Sequence, residues 1–215
     1  MSLKAKNKYI FSYNNKEING SKYINKDFEK TNSYCSKFIG AQFINTTLRA
    51  AKFKYCTFID CKFINCLIIG TNFKGSKFEK VFFEKCIISS CPMNKTNISD
   101  TVVKDCYIIG QKNIKGITNN NSTIIDNYPT SDFISNELYS VIESLRSNDI
   151  IRRSQILHCK KKKLNTISIK ILLEKFTEEE LIKYLKELPN SLTTQFYTVS
   201  YIEKMLTKIK ENDKI

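Results

Sequence analysis

Histidine is nearly absent from this chain: His158 is the only one in 215 residues. A histidine-rich metal centre is thereby excluded, and any proton-shuttling site would rest on one ring. His158 stands beside Cys159 in a stretch expected to form a basic helix. Neighbours on a helix point about 100° apart, so the two do not make a nucleophile–base pair, and His158 is expected at the surface. Glycine is sparse too, at six residues. None of them forms a phosphate-cradling loop, a dinucleotide fingerprint or a nucleophile elbow, and no acid pair is clustered. Arginine is limited to Arg49, Arg146, Arg152 and Arg153 among 35 basic residues, which argues against sequence-specific reading of bases. No apolar run approaches the length of a membrane span. The start, Met1-Ser2-Leu3-Lys4-Ala5-Lys6, has no apolar stretch of the secretory kind. The expectation is a cytoplasmic, non-enzymatic protein with no catalytic residues, no metal, no cofactor and no membrane partner.

What the chain has is a period of five. The frame reads Tyr23, Phe28, Ser33, Phe38, Phe43, Leu48, Phe53, Phe58, Phe63, Ile68, Phe73, Phe78, Phe83, Ile88, Met93, Ile98, Val103, Ile108; seventeen of these eighteen residues are large and apolar, and Ser33 is the exception. Two positions earlier runs a second series of small residues, from Ser21 to Cys106, broken only by Lys26. Five matches neither the helix period nor the strand period, so it marks a repeat architecture. One large and one small inward residue per five fit a chain that turns a corner at every repeat, with the other three positions facing out.

Stretches such as Ala51-Lys52-Phe53-Lys54-Tyr55 and Thr71-Asn72-Phe73-Lys74-Gly75 resemble the pentapeptide-repeat family, whose motif is small–polar–Leu/Phe–x–x. The resemblance covers about residues 21–110, without an insertion or deletion. It implies a mainly β fold, a right-handed quadrilateral parallel β-helix with four repeats per coil, here followed by a small α-helical bundle. Eighteen repeats would make a rod of about 22 Å at the usual strand spacing. With twenty residues per coil, Phe43, Phe63 and Phe83 stack, as do Phe38, Phe58 and Phe78, giving a dry aromatic core. The family's members that protect DNA gyrase by resembling DNA need a negative rod; this one is positive.

Eight cysteines invite a metal or disulfide reading, but the frame assigns six of them to packing. Cys56, Cys61, Cys66, Cys86, Cys91 and Cys106 all occupy the small inward position, where a thiol acts as a small hydrophobe. Cys66, Cys86 and Cys106 should stack with parallel side chains, so no disulfide is expected.

The organisation expected is an N-terminal cap segment over 1–20, the β-helix over 21–115, a linker or last partial coil over 116–130, and an α-helical domain over 131–215. In the last, Ile134, Leu138, Val141 and Leu145 form one stripe, with Ser131 or Asp132 as N-cap. A basic helix is expected over about 150–163, and an apolar one over Leu164 to Phe176. Thr177-Glu178-Glu179-Glu180 reads as a capping box, with Pro189-Asn190 ending that helix. The last helix carries Leu192, Phe196, Val199, Ile202, Leu206 and Ile209.

Charge is uneven. The net +14 divides into +10 over 1–110 (18 basic, 8 acidic), +4 over 111–165 (9 and 5) and zero over 166–215 (8 and 8). One side of the tube carries Lys52, Lys54, Lys74 and Lys95 with no acid, and Lys112 and Lys115 would continue it. The adjacent side mixes Glu17, Asp60, Glu79 and Asp100 with lysines. Arg152, Arg153, Lys160, Lys161, Lys162 and Lys163 form a second basic cluster. These make a candidate contact face for phosphates or an acidic protein, although an A/T-rich coding genome also enriches lysine. Outward Leu67, Ile69, Phe82, Ile87, Val102, Tyr107 and Ile109 make a candidate apolar patch, for docking of the helices, a dimer contact or a partner groove. The functional expectation is a scaffold for protein–protein interaction with a protein partner not identified by the sequence, a homodimer being one form of it. The alternative is a basic protein that binds nucleic acid weakly and without sequence specificity, or that modulates a DNA topoisomerase.

Overall fold

The computed structural model describes residues 11–111, 115–159 and 163–213. The chain divides into two compact units, Met1–Asn127 and Tyr128–Ile215. The first is a parallel β-solenoid and the second is helical.

Three of the solenoid's four sides are sheets of short parallel strands. The first stacks Glu17–Asn19, Lys37–Ile39, Thr57–Ile59, Lys77–Glu79 and Asn97–Ser99. The second stacks Lys22–Ile24, Gln42–Ile44, Lys62–Ile64, Phe82–Glu84, Thr101–Lys104 and Ile117–Asn120. The third holds Leu67–Ile69, Ile87–Ser89, Tyr107–Ile109 and Thr123–Ile125. The fourth is joined by single bridges, Asn32 to Lys52 and Lys52 to Asn72. Partners lie twenty residues apart: Phe38 pairs with Phe58, Phe43 with Phe63, Ile68 with Ile88. This is the quadrilateral parallel β-helix that the family resemblance implies.

The frame residues fill the tube. Phe38, Phe58 and Phe78 stack with centroids 5.1 and 5.0 Å apart, and Phe43, Phe63 and Phe83 with 4.7 and 4.8 Å. Columns meet edge-on, as Phe58 meets Phe63 at 62°. Ser33, the one polar frame residue, is buried, and its Oγ accepts the backbone N–H of Tyr13 at 3.1 Å. Phe11 stacks on Phe28 at 4.6 Å and Tyr13 meets Phe38 edge-on, so this segment closes the first coil.

The strand Glu17–Asn19 lies inside the segment expected to be a cap, with Ile18 buried in the core. The frame extends back through Ile18 to Tyr13, but Lys16 at the small position hides the continuation. At the other end the register shortens. Val102 pairs with Thr118 and Tyr107 with Thr123, so residues 117–125 form a last partial coil.

Corners obey a rule that the frame did not disclose. Every fifth residue from Asn15 to Gly110 has φ between 48° and 71°. Left-handed backbone suits Gly, Asn and Asp, and these hold many corners, among them Gly20, Asn45, Asp60, Gly70 and Asp105.

The helical unit comprises α1 (Asn136–Ser144), a 3-10 turn (Leu145–Ser147), α2 (Asp149–Ser154), α3 (Thr166–Leu173), α4 (Glu178–Ser191) and α5 (Val199–Asn212). The N-cap of α1 is Ser135, whose side chain accepts from the Leu138 N–H, rather than Ser131 or Asp132. Helix α4 starts with the expected capping box of Thr177 and Glu180, but continues past Pro189 to Ser191. The basic helix expected over 150–163 stops at Ser154, because Gln155 turns left-handed at φ 55°. Ile156 and Leu157 then enter the core, and His158 bridges to Leu164 in a short antiparallel pair. In α5 the stripe Val199, Ile202, Leu206 and Ile209 is buried, and α5 packs on α3 and α4. That stripe is core of its own unit.

Candidate functional site

The groups that carry reactivity in other proteins are spent on packing here. None of the eight cysteines forms a disulfide; the six at inward positions are buried, Cys159 is half-buried and Cys35 is exposed. Each buried thiol caps a backbone carbonyl of the coil below: Cys61 faces Phe38 O at 3.3 Å, Cys66 faces Phe43 O at 3.2 Å, Cys86 faces Phe63 O at 3.3 Å. Hydroxyls at the same position do likewise, Thr46 to Tyr23 O at 3.2 Å and Thr96 to Phe73 O at 3.0 Å. Desolvation pushes the Cys56 and Cys91 thiols up to about 12 and Cys61 to about 11, far from the thiolate that a nucleophile or metal ligand requires.

His158 is 1% exposed, not at the surface as the sequence led one to expect. Its Nε2 lies 2.8 Å from Ile142 O, and its Nδ1 is buried with no hydrogen-bond partner. The short strand pairing explains the difference, since it turns the ring inward, whereas a helix over 150–163 would have left it at the surface. Burial holds the ring below the ordinary imidazole range, with Arg146 adding to the effect and Glu143 opposing it. Among the described residues, no three His, Cys, Asp or Glu side chains come together as a metal site needs. No described helix is long and apolar enough to cross a membrane.

The outer sides differ in their charge pairing. On the first side Lys37 meets Glu17 at 3.4 Å and Lys77 meets Glu79 at 2.7 Å. On the second, Lys104 meets Glu84 at 3.2 Å. Arg49 meets Glu29 at 3.0 Å across two coils. The fourth side, made by residues 31–35, 51–55, 71–75 and 91–95, contains no Asp or Glu. It gathers Lys52, Lys54, Lys74 and Lys95, and among the described residues none of the four is paired with an acid. Lys115 is exposed, and Lys112 lies outside the described residues.

Two aromatic rings share this side and were not part of the expected basic face. Tyr34 and Tyr55 are each 45% exposed and meet edge-on, with centroids 5.4 Å apart at 72°. Tyr55 leans over Gly75 of the next coil, where an added Cβ would fall 2.5 Å from the ring. Their sequence signal is an aromatic outside the inward frame on an acid-free side.

The second basic cluster is not brought together in the same way. Arg152 and Arg153 both bind Asp149, at 2.5 and 3.2 Å. Lys163 is exposed, while Lys160, Lys161 and Lys162 lie outside the described residues. Of the apolar patch, Leu67, Ile87 and Ile109 are buried, at 2%, 3% and 2% exposure. Ile69, Phe82, Val102 and Tyr107 are half-buried, and Phe82 and Val102 are register neighbours on the second side.

No family model and no curated protein matches the chain. Among solved structures, it is similar to QnrB1, a plasmid-mediated fluoroquinolone resistance protein, at 16% identity over 54% of this chain and 84% of that one, with a TM-score of 0.23. It is similar to the pentapeptide repeat protein Rfr23 from the cyanobacterium Cyanothece 51142, at 12% identity over 51% and 88%, with a TM-score of 0.18. HetL from Nostoc sp. strain PCC 7120, a pentapeptide repeat protein involved in heterocyst differentiation regulation, matches at 10% identity over 46% and 62%, with a TM-score of 0.17.

Proposed function

We propose that this chain, a pentapeptide-repeat β-helix with an appended helical unit, is a non-enzymatic scaffold that binds a partner protein through side chains held outside its coils. The observation that carries this reading is the use of the interior. Inward thiols and hydroxyls are committed to carbonyls of the neighbouring coil, and the lone histidine is a buried ring bonded to backbone. Reactive chemistry has no exposed group to start from in that set, whereas the outside offers ordered columns fixed by backbone hydrogen bonds of 2.8 to 3.2 Å between coils. A rigid surface loses little entropy on binding, which is what a scaffold supplies.

The half-buried outward pair Phe82 and Val102 is the proposed protein contact, with Ile69 and Tyr107 as further half-exposed apolar groups. Buried Leu67, Ile87 and Ile109 are unavailable to a partner. Affinity capture from the native extract tests the reading with a matched variant. Proteins retained by the wild-type chain are expected to be lost with Phe82→Glu/Val102→Glu, while Lys22→Ala, on the same side, retains them. Identical retained sets for all three chains would contradict it.

A further inference from the structure

We propose that the fourth side of the β-helix binds single-stranded nucleic acid without sequence preference, lysines contacting phosphates and bases stacking on Tyr34 and Tyr55. This goes beyond the protein-scaffold reading and does not depend on it, since it uses a different side of the coils.

Three observations converge. The charge on this side is unbalanced: Lys52, Lys54, Lys74 and Lys95 stand on twenty residues that include no acid, whereas Lys37 and Lys77 on the neighbouring first side, and Lys104 on the second, each have a carboxylate. Unpaired ammonium groups in a row attract a polyanion and release its counterions on contact. The second observation is the pair of tyrosines. Tyr34 and Tyr55 are the aromatic residues with large exposure among the described residues of the solenoid, and both fall on the acid-free side. Because they meet edge to face rather than stacked, the contact covers only one of the ring faces, and each ring stays 45% exposed. Exposed ring faces beside cations are the composition of single-strand grooves, in which each base has a π-face to stack. Third, the surface is preformed. Ser33 N–H bonds Lys52 O at 2.8 Å, Phe53 N–H bonds Asn72 O at 2.8 Å, and Tyr55 N–H bonds Lys74 O at 3.0 Å. Gly75 gives Tyr55 room that any larger residue would deny it.

The same features select among polyanions. A duplex hides its base faces, so it would use the lysines alone. An acidic peptide would likewise gain little from the rings. Arginine is missing from this side, so no bidentate reading of base edges is available and sequence indifference follows.

The test is fluorescence anisotropy with the full chain and a labelled oligothymidylate of about 20 nucleotides, between about 50 and 200 mM salt. The wild-type chain is expected to bind at low salt and to weaken steeply as salt rises. Tyr34→Ala/Tyr55→Ala is expected to weaken binding about tenfold or more with the salt slope unchanged. Lys52→Glu/Lys54→Glu/Lys74→Glu is expected to reduce the slope of log affinity against log salt by about 2, at about 0.7 per phosphate contact. Lys22→Glu/Lys62→Glu/Lys85→Glu, an equal charge change elsewhere on the coils, is the control and is expected to keep the slope. Circular dichroism checks that each variant is folded. No binding at low salt would overturn the proposal, as would equal loss in the two lysine variants or indifference to the tyrosines. Equal affinity for a duplex of the same length would overturn it too. Binding of polyglutamate through Lys52, Lys54 and Lys74, with no tyrosine effect on the oligonucleotide, would assign the side to an acidic protein instead.

Discussion

Cys66 and Thr46 occupy the same column and do the same work: each points inward and reaches a carbonyl one coil away, at 3.2 Å in both cases. Apart from Ala41, Ala51 and Val81, the small series therefore includes weak and strong donors, and size was the legible half while hydrogen bonding was not. Thiols held this way resist deprotonation and alkylation. Iodoacetamide is expected to label Cys35 and Cys159 on the native chain, and the other six only after denaturation; mass mapping of the labelled peptides would show it. His158 is the opposite case, a residue whose place was misread because its neighbours looked helical. Its buried ring favours the neutral form, with Arg146 and Glu143 as its charged neighbours. The folded pKa lies below the unfolded one, so its stabilising contribution is complete above about pH 6.5 and is lost as pH falls. Urea midpoints followed at 222 nm are expected to drop between pH 7.5 and 5, and to drop less in His158→Gln. Corner residues were legible only in part: Gly, Asn and Asp announce left-handed backbone, but Lys85, Ala50 and Tyr55 adopt it as well.

Elements were legible where one period dominated. The five-residue frame located each coil side because a shift by one residue would expose a phenylalanine. Phe58 is sandwiched between Phe38 and Phe78 at 5.1 and 5.0 Å, fully buried. Phe58→Ala is expected to cost about 3–5 kcal/mol in chemical denaturation, and Phe82→Ala, on the outside of the same tube, about 1 kcal/mol or less. The helical unit was read with less accuracy at its ends. The capping box of α4 is found where expected, and Thr177→Ala is expected to cost about 1 kcal/mol. Pro189 failed as a stop signal: it sits in the last turn, where its missing N–H removes one bond to a preceding carbonyl and the helix runs on for only two residues. The stretch after Ser154 failed for a tertiary reason: Ile156, Leu157 and His158 contribute to a core that basic neighbours disguise.

At the scale of the molecule, a period fixes what is inside, and the outside is what remains. The lysines of the acid-free side were legible from the frame alone, since four residues at known offsets must share it. The tyrosines were not singled out, because exposure and mutual geometry are tertiary facts. The apolar patch divided on inspection into buried Leu67, Ile87 and Ile109 and half-exposed Phe82 and Val102, a distinction no count of outward residues contains. The central claim is that this chain works through ordered outer sides of a twenty-residue coil, the fourth of them for nucleic acid. Two-dimensional NMR of the isotopically labelled chain, titrated with oligothymidylate, tests it most directly. Perturbed amides are expected to recur at twenty-residue intervals, in 32–35, 52–55 and 72–75. Perturbations centred on the helical unit, or spread evenly over all four sides, would contradict it.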